Sequence, residues 1–172
     1  MLDDIQLRLW NPKDLESLIR YGDNPAIWIN MTDGFPKPFD EAAGIRFLER
    51  CAQHDPARVL AIDFKGEAIG AIGLYFLEDI FRLNAELGYW IAEPYQGKGI
   101  MTKALKLMCN YAFEHFELNR IFARPLGRNM ASRRALEKAG FSLEYCIEKN
   151  LIKGGVLEDE YCYSVRRETV KE

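Results

Sequence analysis

No stretch of this 172-residue sequence approaches the roughly 20 consecutive apolar residues that span a bilayer, and the N-terminus lacks a basic-then-apolar leader. A cationic surplus is missing too. Lys and Arg number 23 against 26 Asp and Glu, leaving a formal charge of −3, whereas a general nucleic-acid binder carries a basic excess. The four cysteines (Cys51, Cys109, Cys146, Cys162) form no Cys-x-x-Cys pair, and His54 and His115 are not spaced with any of them, so no zinc pattern is present. Cys51 and Cys109 fall in helical patterns and Cys146 and Cys162 in strand patterns, and all four are expected as buried free thiols. Without a Gly-x-Ser-x-Gly elbow, serine-hydrolase chemistry is disfavoured. Repeats, low-complexity tracts and linkers are absent as well. Positions 1–172 are therefore expected to form a single cytoplasmic domain with no metal and neither nucleic acid nor membrane as partner.

What the chain does have is an alternation of strand and helix patterns. Residues 5–9 alternate apolar and polar, and Asn11-Pro12 then opens a helix with Leu15, Leu18 and Ile19 inward and Gly22 as its stop. Residues 23–39 are irregular and rich in large side chains; they read as a substrate wall or as a surface loop anchored by Trp28 and Phe35. A second helix is expected over 40–54 with Ile45, Leu48 and Cys51 facing the core. Residues 59–64 and 67–76 are β-rich and joined by Lys65-Gly66, a hairpin signal. A strand over 84–92, a long helix and a short strand over 120–124 make a crossover, hence a parallel pair. Asn129 opens a short helix with Ala131, Ala135 and Leu136 inward and Gly140 at its end. Residues 141–152 and 156–165 form a final hairpin about Lys153-Gly154-Gly155. The order predicts a mixed α/β (α+β) fold, a sheet of about six to seven strands flanked by helices.

The chemistry concentrates in residues 86–102, Glu-Leu-Gly-Tyr-Trp-Ile-Ala-Glu-Pro-Tyr-Gln-Gly-Lys-Gly-Ile-Met-Thr. Strand, glycine turn and helix in that order make an anion site, because the first N–H groups of a helix lack internal partners and stand at the positive end of its dipole. Gly97 and Gly99 keep Cβ atoms out of a ligand's way, and Lys98 adds charge. An ordinary turn bent by two glycines is the alternative. The dinucleotide-binding pattern fails at Thr102, where a third glycine is required, and the Walker spacing is absent.

Gln96 to Met101 resembles the Gln/Arg-x-x-Gly-x-Gly/Ala loop of the GNAT superfamily of N-acetyltransferases, departing at Met101, where a small residue is usual. A second stretch, Asn129-Met-Ala-Ser132 followed by Leu136-Glu-Lys-Ala-Gly140-Phe141, is explained locally by helix capping. Coming one strand after the loop, it resembles the Asn-x-x-Ser…Leu-Glu-Lys-x-Gly-Phe segment of the family's ribosomal-protein N-terminal acetyltransferase (Rim) type. The resemblance implies the GNAT fold and acetyl-CoA as cosubstrate, without metal. It implies that N–H groups of Gly97, Lys98, Gly99, Ile100 and Met101 hold the pyrophosphate, with Gln96 shaping the loop. The strand at Trp90, Ile91 and Ala92 would pair with the pantetheine arm, Asn129 would bind that arm through its amide, and Ser132 would lie near the sulfur. Many family members carry a tyrosine seven positions after the asparagine as general acid; here that position is Leu136, which leaves Ser132 as the motif's candidate.

The amine must attack as the free base, and its pKa is about 8 for an α-amine and about 10 for lysine. A general base is therefore useful. Glu86 is the choice, being the acidic residue of the motif strand on the face of Trp90; a purely structural carboxylate is the alternative. Glu148, Glu158, Asp159 and Glu160 stand in reserve. The expected activity is transfer of acetyl from acetyl-CoA to a primary amine, a protein N-terminal α-amine first. A small amine such as a polyamine or aminoglycoside, or a silent acyl-CoA-binding module, are the competing readings. A monomer or a homodimer fits equally.

Overall fold

In the computed structural model, which describes residues 2–170, the β-rich runs become β1 (Ile5–Arg8), β2 (Val59–Phe64), β3 (Glu67–Phe76), β4 (Asn84–Ile91), β5 (Arg120–Ala123), β6 (Ser142–Lys153) and β7 (Val156–Arg166). They join one sheet in the order β1-β2-β3-β4-β5-β7-β6. The β4–β5 pair is parallel and every other neighbouring pair antiparallel, as the crossover pattern requires. The helices are α1 (Leu15–Gly22), α2 (Pro25–Trp28), α3 (Glu41–Cys51), α4 (Ile100–His115), α5 (Met130–Lys138) and α6 (Arg167–Val170). Both expected hairpins form. Lys65 and Gly66 have φ of 53° and 90°, and Gly154 and Gly155 have φ of 58° and 80°, the twin positive values of a two-residue primed turn.

β4 is covered on both faces, which explains its nearly continuous apolar run. Ala85, Leu87 and Ile91 pack with Ala104, Leu105 and Met108 of α4 in the main core. Trp90 points the other way and packs with Leu18 of α1, Ile27 of α2, Ala43 of α3 and Phe39 just ahead of α3. Alternation thus sorts the strand between two helical layers.

Several local expectations are corrected. Ile45 is 42% exposed, and the buried positions of α3 are Ala43, Gly44 and Cys51. Its inward face is set by α1, which passes so close that a Cβ on Gly44 would lie 2.6 Å from Leu15 Cδ1. Gly22 is the last residue of α1, not a left-handed stop; the Phe39 ring lies 3.2 Å from where its Cβ would be. Asn11 caps a short 3-10 turn, Pro12–Asp14, ahead of α1. Residues 23–39 are not wholly irregular, since Asn24 caps α2 through Ala26 N. In α5 only Leu136 is fully buried and Ala131 is exposed. Cys146 is exposed because β6 is the edge strand and is open to solvent along most of its length.

One feature of the sheet positions the candidate site. β4 and β5 pair over only three positions, Asn84 with Arg120, Ala85 with Ile121 and Glu86 with Phe122. β5 ends at Ala123, while β4 continues to Ile91 paired with β3 alone. The two strands part like a fork.

Candidate active site

Three pieces meet at the fork. The first is the loop from Gln96 into α4. Gly97 and Gly99 have φ of 72° and 78°, and Gly99 is the N-cap of the 16-residue helix with no side chain capping it. Among the described residues the N–H groups of Gly97 to Thr102 donate to no protein oxygen. A run of free amides at the head of a helix is a cradle for an anion. Gln96 Nε2 donates to Ile91 O at 3.1 Å and so ties the loop to the end of β4. Lys98 Nζ donates to Pro94 O at 2.7 Å, which folds that charge beside the loop. Ile100 is buried and Met101 packs against the main core, so the departure at Met101 puts no side chain over the amides.

The second piece is the unpaired side of β4. Trp90, Ile91 and Ala92 are all buried, and Trp90 stacks edge-on against Phe35 at 6.2 Å. Their side chains are committed to the protein, so a ligand in the fork meets only backbone. Ala92, just past the strand, has its own backbone engaged, its N–H donating to Ile69 O at 2.8 Å and its carbonyl accepting from Tyr95 N–H at 2.9 Å. Such an edge takes an extended chain as a further strand.

The third piece is the start of α5. Asn129 Oδ1 accepts from Ser132 N at 3.2 Å, the capping bond read from the sequence, and its Nδ2 donates to nothing among the described residues. Ser132 Oγ lies 2.6 Å from the Tyr89 hydroxyl. Leu136 is fully buried in the main core.

On the opposite face of the sheet, Glu86 is held in a two-pronged ion pair. Arg124 Nε and Nη2 donate to its two oxygens at 3.0 and 2.7 Å. The guanidinium also stands 3.5 Å from the buried Glu160, and the bond to Glu86, ahead of burial working the other way, raises its pKa above the ordinary arginine value. Glu160 further accepts from Tyr145 OH at 3.2 Å and from Asn150 Nδ2. Of the reserve carboxylates, Glu158 pairs with Arg128, Asp159 accepts from Lys149 N, and Glu148 is exposed. Next along this face, Glu144 is brought down to about 2, first by Arg120, with burial opposing. Sequence reasoning missed Arg124 and Tyr89. Arginine facing a motif glutamate across the β4–β5 pair and tyrosine next to Trp90 were both visible, but the fork that makes them matter is tertiary.

Beyond the fork, Lys153 on the last hairpin is 3% exposed, pairs with Asp33 at 2.9 Å and lies 3.5 Å from the centre of the Trp28 ring. Arg128 Nη2 donates to Ile29 O at 2.8 Å. Residues 28–33 are thereby strapped to the C-terminal hairpin. Among the described residues no group of three or more His, Cys, Asp and Glu could hold a metal ion, and no helix is long and apolar enough to cross a membrane.

Comparison with known proteins bears on this arrangement. Residues 4–142 match the family model described as an acetyltransferase (GNAT) domain. The Bacillus subtilis protein YjcK is 39% identical over 97 residues, 56% of this chain and 54% of that protein. The Escherichia coli ribosomal-protein-serine acetyltransferase is 29% identical over 112 residues, 65% of this chain and 62% of that protein. The E. coli spermidine N(1)-acetyltransferase is 27% identical over 141 residues, 81% and 74% respectively. The chain spans about half the length of the first curated relatives it matches. Among solved structures, RimL, a ribosomal alpha-N-protein acetyltransferase in complex with coenzyme A, superposes with a TM-score of 0.82 at 20% identity, covering 95% of this chain and 94% of that one.

Proposed function

Because the chain belongs to the GNAT acetyltransferase family, we propose that it works as one N-acetyltransferase domain. It transfers acetyl from acetyl-CoA directly to a protein N-terminal α-amine. The residues fit acetyl-CoA on three counts. The free amides of Gly97 to Met101, with Gln96 bracing the loop, suit the pyrophosphate. The unpaired side of β4 up to Trp90 and Ile91 suits the amide-bearing pantetheine arm, with Ala92 closing the end of the fork, and Asn129 Nδ2 supplies a donor to it. A free N–H at the fork is the donor for the thioester oxygen, and Ser132 for the sulfur. Most of the rate comes from this positioning and from donors fixed where charge develops.

The observation that carries the choice of acceptor is the pairing of Glu86 with Arg124. A carboxylate whose two oxygens both accept from one guanidinium is well oriented, and its lone pairs are largely committed to that pair. It suffices for an α-amine, already partly unprotonated near pH 8, whereas a lysine amine must give up about 2 pKa units more, or about 3 kcal/mol. Of the neighbouring carboxylates, Glu158 and Glu160 face Arg128 and Arg124. Glu86 therefore acts as proton acceptor, directly or through water, with Arg124 holding its oxygens. A polyamine acceptor is the second reading, favoured by the likeness to the spermidine enzyme over most of the chain. Free-thiol release from acetyl-CoA with peptides, polyamines and aminoglycosides separates them. Peptides bearing a free N-terminus are expected to release thiol, with loss in Glu86→Gln; turnover with spermidine alone overturns the acceptor assignment. Tight acetyl-CoA binding with no acceptor would identify a silent binding module.

A further inference from the structure

Seven residues after Asn129, where many members of the family carry a tyrosine, this chain has Leu136, which is buried in the core and offers no hydrogen bond. A phenol nonetheless reaches this place from another element. Tyr89 stands on β4 beyond the last residue paired with β5, on the side of α4 and α5. Its ring packs against the main core and its hydroxyl lies 2.6 Å from Ser132 Oγ. The acetyl-transfer reading being granted, we propose that Tyr89 is a positioning residue for thiol departure: its O–H donates to Ser132 Oγ and turns the Ser132 O–H toward the thioester sulfur.

Two features support the direction of that bond. Tyr89 OH has no partner other than Ser132 among the described residues, so its proton has one place to go. Ser132 is fixed from the other side as well, its N–H bound to Asn129 Oδ1 at the first turn of α5, and the residue is only partly buried, so when Tyr89 donates, the Ser132 O–H is left over for a ligand. Burial pushes the Tyr89 phenol above its ordinary pKa, with the bond to Ser132 working the other way, so the phenol keeps the proton it has to donate. In the transfer the amine nitrogen forms the new bond to the acetyl carbon and the carbon–sulfur bond breaks. The bonding pair leaves on sulfur as thiolate, the proton lost by nitrogen passes to Glu86 and on to water, and the thiolate takes up a proton from water. Ser132 stabilises the developing thiolate by its hydrogen bond, and Tyr89 neither gains nor loses a proton.

The test is Tyr89→Phe, which keeps the ring and removes only the hydroxyl. It is read beside Ser132→Ala and the double variant, with kcat, KM and the melting temperature with and without acetyl-CoA for each. Tyr89→Phe is expected to lower kcat about five- to tenfold, the size of one hydrogen bond, with KM for acetyl-CoA and the ligand-induced melting shift unchanged. Ser132→Ala lowers kcat at least as far, and adding Tyr89→Phe to it costs nothing more. Undiminished kcat in Tyr89→Phe, or losses that multiply in the double variant, overturn the inference while leaving acetyl transfer standing. A wild-type protein that neither shifts with acetyl-CoA nor releases thiol with any amine overturns the acetyl-transfer reading and this inference with it.

Discussion

Replacing Gly99 by alanine separates what the loop does for folding from what it does for binding. The residue sits at φ 78° and ψ 0°, and an added Cβ would meet nothing closer than the Leu2 side chain at 3.9 Å. Space is therefore not the obstacle, and the folding cost is that of holding an L-residue in the left-handed region, about 1–2 kcal/mol. For a chain of this size that corresponds to a drop in melting temperature of about 2–8 °C. The new methyl group also stands among the free amides of Gly97 to Met101, and acetyl-CoA affinity is expected to fall by more than tenfold. Gly140 supplies the control. It has φ 96°, no atom within 4 Å of an added Cβ, and lies past the other end of α5, so Gly140→Ala bears the same strain away from the loop. Calorimetric melting gives the first quantity and isothermal titration well below the melting point gives the second. A Gly99→Ala protein that melts lower yet binds acetyl-CoA as tightly as the Gly140→Ala control would refute the reasoning and reduce the loop to a turn.

Two further outcomes follow from groups around the site. Glu144 lies at about 2 in the folded protein against an ordinary value of 4.5, so its contribution is present above about pH 4.5 and lost as pH falls toward 2. With its side chain 26% exposed, that contribution is about 1–2 kcal/mol after screening, and the stability gap between wild type and Glu144→Gln in urea titrations should close across that window; a gap unchanged from pH 6 to 3 would contradict it. Lys153→Met keeps the length of the side chain but removes the ion pair to Asp33 and the cation over Trp28. Faster proteolysis within residues 28–39, with acetyl-CoA affinity preserved, is expected, and unchanged cleavage there would show that the strap does not hold the segment.

The fold was largely legible because its elements announce themselves locally. Lys65-Gly66 and Gly154-Gly155 could only be turns, the stripe on α4 could only face a sheet, and strand–helix–strand dictated the parallel pair. Misreadings came where a neighbour sets the face. Ile45 turned outward because α1 crowds Gly44, and Cys146 is open because nothing covers the edge strand β6. In the candidate site, the geometry of the loop and of Asn129 was readable because each is set by its own backbone or its own helix. The engagement of Glu86 by Arg124 and of Ser132 by Tyr89 was not, since each joins residues 38 and 43 positions apart in sequence through the fork of the sheet.

The most direct test gives the protein acetyl-CoA and a peptide with both a free N-terminus and an internal lysine, and locates the acetyl group by fragment mass spectrometry. The account predicts acetyl on the N-terminal nitrogen and an unmodified lysine, with the product lost in Glu86→Gln. Acetyl on the lysine alone, or no peptide product where spermidine is acetylated readily, would contradict it.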